Sequence, residues 1–268
     1  MPKRDRLLLL GMAASVALFL GYEGLFAGKT GLPPPQAELT DLTVTRLLGG
    51  AAFLLLVRYM EFPLFGLRTD RASFLRTLPF WLVACNNLPV LSLLTGDAVL
   101  TDACNAGNLL LLGAECLAIA LFEESAFRGI LLLLLLRRFG ETRGGRIRSL
   151  ILSSVIFGAV HLANLFSSSP PAVLLQVGYS TLIGGMCGIA LLLCGRLWVP
   201  IALHAVYDFG GQLVDTVGKG TVWTVPEIVL TAVVGTAVAG YALFVLFGMD
   251  RAHTFFDSEN RAASAARQ

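Results

Sequence analysis

The chain is 268 residues long, 56% hydrophobic and only 14% charged, with a net charge of +2 and a mean hydropathy of +0.75. A soluble domain carries about 25% charged residues, so the composition excludes an ordinary water-soluble enzyme and predicts an all-α protein that crosses a membrane several times. The small net charge leaves no electrostatic footprint for a nucleic acid, and the expected surroundings are the lipid bilayer. The five cysteines (Cys85, Cys104, Cys116, Cys187, Cys194) show no metal-finger spacing, and four lie in apolar runs where a thiol behaves as a small hydrophobe. No disulfide framework is expected.

Taken in order, the chain opens with a basic head and an apolar run, MPKRDRLLLLGMAASVALFLG, that continues to about Ala27 without an A-x-A site. It reads as an uncleaved first span rather than a signal peptide. After Pro33, Pro34 and Pro35, a second span covers roughly Thr45 to Val57, bracketed by Arg46 and Arg58. The third runs from about Leu75 to Leu94. It contains Pro79, Asn86, Asn87 and Pro89, which predicts a kinked helix lining something polar. The fourth, Leu109 to Arg138, is long enough for a hydrocarbon core of about 30 Å at about 1.5 Å per residue. A loop holding Arg137, Arg138, Arg143, Arg146 and Arg148 follows, then a fifth span from Leu150 to Phe166 and a turn at Ser167–Pro171. The sixth, Ala172 to Cys194, has Gly184, Gly185 and Gly188 to permit close helix approach. The seventh covers Leu197 to Val214 and the eighth about Ile228 to Phe247, ahead of a polar tail expected to be disordered. The expected organisation is therefore about eight transmembrane helices. Residues 1–108 hold three of them, 109–214 the polar-interrupted core, and 215–268 the last span and tail.

Eight spans with a cytoplasmic N-terminus place sixteen Lys and Arg on the cytoplasmic side and three (Lys29, Arg46, Lys219) on the other, with Arg128 inside the membrane. That bias fits the positive-inside rule and puts both termini in the cytoplasm. Short loops and the arginine bias suit a bacterial inner membrane.

The fourth span carries Glu123, Glu124 and Arg128 in an otherwise apolar run. Ionisable groups at bilayer depth cost about 3 kcal/mol each if they face lipid, so they face a protein interior or a water-filled cavity. Glu124 and Arg128 are one turn apart and can pair, whereas Glu123 points about 100° away and is left unexplained by that pair. His161 lies in the fifth span, and His204 and Asp208, four apart, share one face of the seventh. At helical rise all these groups fall about 10–21 Å from the cytoplasmic ends of their spans, broadly one level. A lone His reads as a satisfied core residue and the Glu124–Arg128 pair alone as structural, whereas the unpaired Glu123 is a functional-site candidate by default. Two His, two Glu and an Asp buried independently would be prohibitively costly, so they are expected to share one site.

At these residues the sequence resembles a known family. EESAFR (Glu123 to Arg128) fits the EExxxR motif of the CAAX prenyl protease and bacteriocin-processing family, FGAVH (Phe157 to His161) its FxxxH motif, and HAVYD (His204 to Asp208) its HxxxN/D motif. The likeness covers about Leu109 to Gly211 and implies a glutamic-type intramembrane endopeptidase with an eight-helix core, related to the Ras-converting CAAX endopeptidase. It implies that Glu123, with His161, activates a water for attack on a peptide carbonyl, that Glu124 belongs to the same site, and that His204 and Asp208 match positions proposed to stabilise the oxyanion. Arg128 and Phe157 are supporting positions. No cofactor is implied. Well-studied members carry Asn where this chain has Asp208, which either orients His204 or joins a metal set. The zinc-dependent version of the protease would use Glu123, His161, His204 and Asp208 as ligands. The non-enzymatic alternatives are a scaffold or a proton-relay transporter. The implied substrate is a membrane-anchored peptide or protein, CAAX-type or a sorting or propeptide signal.

Overall fold

The computed structural model describes residues 3–26, 31–60, 62, 64–140 and 142–248. It is all-α apart from one short two-stranded ribbon. Helix α1 spans Lys3–Phe26, α2 Gln36–Tyr59, α3 Arg71–Leu75, α4 Leu78–Asn86, α5 Val90–Thr95, α6 Ala106–Glu124, α7 Leu133–Phe139, α8 Arg143–Val160, α9 Pro170–Cys194, α10 Trp198–Val217 and α11 Val225–Gly248. The tail expected to be disordered lies outside the described residues. Among those described, five helical stretches are long and apolar enough to cross a membrane: Gln36–Tyr59, Arg71–Thr95, Arg143–Phe166, Pro170–Cys194 and Val225–Gly248. The other three expected spans are helical too, as α1, the rod from α6 through α7, and α10.

The third span is broken, as its prolines predict. Pro79 stands in the first turn of α4 and Pro89 precedes α5, and neither has an N–H to continue a helical ladder. The second span is longer than its apolar centre indicated, because α2 carries Arg46 buried in its middle. Arg143, Arg146 and Arg148 lie in the first turns of α8 rather than in a loop, behind the Thr142 cap on the Gly145 N–H. The fourth span is not uniform: α6 and α7 are joined by π-helical backbone over Ser125–Leu132, immediately after the two glutamates. The fifth ends as 3₁₀ helix over His161–Phe166. The ribbon pairs Ala98–Leu100 (β1) antiparallel with Gly218–Gly220 (β2), tying the segment before α6 to the end of α10.

Arginines fasten one end of the molecule. Arg4 donates to the Tyr59 carbonyl, Arg137 to that of Met60, Arg143 to that of Phe247 and Arg196 to that of Arg68. These bonds gather the start of α1, the end of α2, the end of α7, the start of α8 and the end of α11 at a single basic end.

The core packs α6 and the π segment between α2 on one side and α8, α9 and α10 on the other. Two close approaches set this geometry. A Cβ on Gly49 would lie 2.6 Å from the Phe122 ring, so α2 reaches α6 only because residue 49 has no side chain. In α9, a Cβ on Gly184 would meet Arg128 at 2.9 Å, and one on Gly188 would meet Leu150. Gly185, expected to serve the same purpose, makes only ordinary van der Waals contact at 3.8 Å.

Candidate active site

The fold brings the polar interruptions of four helices to one cavity of about 940 Å³, whose wall includes Arg46, Glu123, Phe157, His161, His204 and Asp208. The two adjacent glutamates have opposite surroundings. Glu123 lines the cavity with 14% of its side chain exposed. Glu124, one residue on and about 100° round the helix, is fully buried behind it. Its Oε1 takes the Arg128 guanidinium at 3.0 Å and the Nδ1 of His204 at 2.8 Å. The Arg128 guanidinium lies 4.2 Å from the centre of the Phe157 ring, so an interior cation has a carboxylate on one side and an aromatic face on the other.

His204 is oriented by this buried pair. A carboxylate only accepts, so Nδ1 carries a hydrogen and donates to Glu124. The other ring nitrogen then faces the cavity acids, with Nε2 3.8 Å from Glu123 and 3.4 Å from Asp208. His161, at the start of the 3₁₀ turn, places Nδ1 3.2 Å from the Phe157 carbonyl. A carbonyl also only accepts, so Nδ1 is again the donor and Nε2 keeps a lone pair. Phe157 stands edge-on to both imidazoles, with ring centres 5.3 Å from His161 and 5.9 Å from His204. It separates the two rings and walls the cavity between them.

Every residue named from the sequence therefore belongs to one neighbourhood: Glu123, His161, His204, Asp208 and Phe157 on the cavity, Glu124 and Arg128 directly behind it. Two further lining residues stand outside the set named from the motifs. Arg46, assigned to the side opposite the basic loops, is instead buried in α2 with its Nη1 3.4 Å from Glu123 Oε1. An arginine inside an apolar run was the available signal, of the same kind that singled out Arg128. Asn87, expected to line something polar, does so: it borders the cavity and donates to the Tyr207 carbonyl at 2.7 Å. Among the described residues, no three His, Cys, Asp or Glu side chains converge in the manner that would hold a metal ion.

Residues 105–210 match the family of type II CAAX prenyl endopeptidases described as Rce1-like. No curated protein and no solved structure matches the chain. The match contains Glu123, Glu124, Arg128, Phe157, His161, His204 and Asp208, whereas Arg46 and Asn87 fall outside it. Family match, apolar helices and shared cavity coincide: residues 105–210 are similar to the type II CAAX prenyl endopeptidases, within a chain whose long apolar helices mark it as an integral membrane protein.

Proposed function

We propose that the protein hydrolyses a peptide bond of a membrane-anchored substrate with a water activated by Glu123 and His161. One observation carries the reading: of the two adjacent glutamates, Glu123 faces the cavity, while Glu124 is spent behind it on Arg128 and His204. Glu123 takes a proton from a water held between its carboxylate and the Nε2 lone pair of His161. The resulting hydroxide adds to the substrate carbonyl carbon, and electrons move onto the carbonyl oxygen. His204, turned by Glu124 so that Nε2 faces the cavity, acts as the imidazolium, with a second hydrogen on Nε2 that it donates to that oxyanion. Asp208 sits 3.4 Å from the same nitrogen and holds the imidazole toward the cavity. Collapse of the tetrahedral intermediate breaks the C–N bond, and the proton held by Glu123 passes to the leaving amine. No metal takes part in this scheme.

All eight helical rods span the bilayer in this reading, with the arginine-fastened end and both termini facing the cytoplasm of a bacterial inner membrane. Alternation of the rods is supported by the bonds that gather the start of α1, the end of α2 and the end of α11 at one end. The substrate is a peptide tethered at the membrane, either a CAAX-type tail or a sorting or propeptide signal.

Detergent-purified protein assayed on prenylated and otherwise membrane-tethered peptides tests the scheme. Wild type is expected to cleave with phenanthroline present, and Glu123→Gln to lose about 10²- to 10⁴-fold in rate. Cleavage abolished by phenanthroline and restored by Zn²⁺ would replace the scheme with metal-assisted hydrolysis. Undiminished turnover by Glu123→Gln would remove Glu123 from the chemistry.

A further inference from the structure

We infer that Arg46 is a positioning residue of this site: its guanidinium fixes the Glu123 carboxylate against the charge of Asp208, and the site needs it because residue 208 is an acid. The inference rests on the reading of Glu123 as the working carboxylate.

Three carboxylates line the cavity (Glu123, Asp208 and Asp215), and among the described lining residues Arg46 is the one Lys or Arg. Arg128, the other interior cation, is committed to Glu124 and has the Phe157 ring on its other side. Glu123 and Asp208 both lie against the same His204 nitrogen, at 3.8 and 3.4 Å. Two carboxylates sharing one imidazole repel each other strongly where little water screens them. Arg46 approaches Glu123 from the far side: its Nη1 is 3.4 Å from Oε1, while Oε2 is the oxygen turned toward His204. The guanidinium therefore holds one oxygen and leaves the other for a water.

The local backbone is built for this contact. Arg46 is buried, and its guanidinium lies 4.8 Å from the centre of the Phe122 ring, next to Glu123 in sequence. Phe122 is itself packed between Phe19 of α1 and Phe53 of α2 at 5.4 and 5.1 Å. Gly49 and Gly50, three and four residues beyond Arg46 and so on its face of α2, allow the approach, since a Cβ on either would lie within 3.1 Å of Phe122 or Leu121 atoms. The contact is supplied from outside the family-matched segment. Asp208 in turn feels the charges of His204, Glu123, Glu124 and Arg46 together.

Coupling between Arg46 and Asp208 distinguishes this role from simple packing. Wild type, Arg46→Gln, Asp208→Asn and the double variant are compared in detergent for kcat, KM and unfolding temperature, with Arg46→Lys as the charge-conserving control. Arg46→Gln is expected to lower kcat about 10²-fold with little change in KM, as a misplaced reacting group does. Arg46→Lys should retain part of the rate. In the double variant the loss caused by Arg46→Gln should shrink by about tenfold or more, because the repulsion it opposed has gone. Unfolding temperatures should follow the same pattern, falling with Arg46→Gln and recovering when Asp208→Asn is added. Independent, multiplicative losses in rate and stability would overturn the inference, as would an Arg46→Gln effect confined to KM. If wild type cleaves no peptide, the proteolytic reading fails, and the unfolding temperatures still decide the coupling by themselves.

Discussion

Helices α9 and α11 are nearly equal in length and both strongly apolar, yet they occupy opposite environments. The most apolar stretch of α9 has a mean hydropathy of 1.8 and is 61% buried within the protein, whereas that of α11 reaches 2.2 with 6% buried. The more hydrophobic helix is the less enclosed one. In water that order would be perverse, but in a bilayer lipid satisfies apolar surface as well as protein does, and hydropathy no longer reports burial. What separates the two is shape: α9 has Gly184 and Gly188 where Arg128, Phe157 and Leu150 come close, while α11 presents Leu243, Phe244 and Phe247 outward. Interior position in this fold is set by fit and by polar groups that must be enclosed.

Substitutions can break or sharpen that contrast, and the largest effect is expected at the enclosed charge. Arg128→Met leaves Glu124, fully buried, without its cation, and should cost about 3–5 kcal/mol in unfolding measurements in micelles. A neutral outcome would mean that Glu124 does not need the pair. Next comes a matched truncation on the two helices. Leu191→Ala on α9, at a fully buried position, should cost about 2 kcal/mol, the low end for a cavity because lipid removes the transfer component. Phe244→Ala on α11, 76% exposed, should stay within about 0.5 kcal/mol. Equal costs would show that α11 is packed against something in the membrane. The smallest effect is expected just ahead of the span that begins at Arg71, at the Asp70 cap of α3, whose carboxyl is held below its ordinary value of 3.8 chiefly by the Ser73 N–H. With a depressed folded value, its contribution to stability is complete above the unfolded value of about 3.9 and is lost as pH falls through the lower folded one. The unfolding-temperature difference between wild type and Asp70→Asn should therefore vanish on acidification through that window.

The candidate site was legible in the sequence because intramembrane ionisable residues are rare enough that each one asks for a partner. Glu123, His161, His204 and Asp208, chosen on that ground and on their spacing, line one cavity, and the predicted pairing of Glu124 with Arg128 is present at 3.0 Å. The kinked third span followed from Pro79 and Pro89, which remove backbone donors whatever the tertiary context. Arg46 was legible in principle but was read as a flanking charge, because the apolar run after it is short and the polar first half of α2 conceals the helix around it. The π-helical stretch at Ser125–Leu132 left no mark in the sequence pattern: its residues are as helix-compatible as their neighbours, and the extra residue per turn is decided by how the α6–α7 rod packs among α2, α8 and α9. The ribbon between β1 and β2 is likewise a product of proximity, formed by three residues on each side.

The division of labour between the two adjacent glutamates is the central claim, with Glu123 acting on water rather than on the substrate itself. It is tested most directly by a single turnover in H₂¹⁸O, with mass analysis of the released peptide and of the segment containing Glu123 and Glu124. A water activated by Glu123 predicts that the first turnover places the label in the new carboxyl group of the product and leaves both glutamates unlabelled. Label in the Glu123 side chain, with an unlabelled product carboxyl, would mean that Glu123 attacks the carbonyl covalently and would contradict the mechanism.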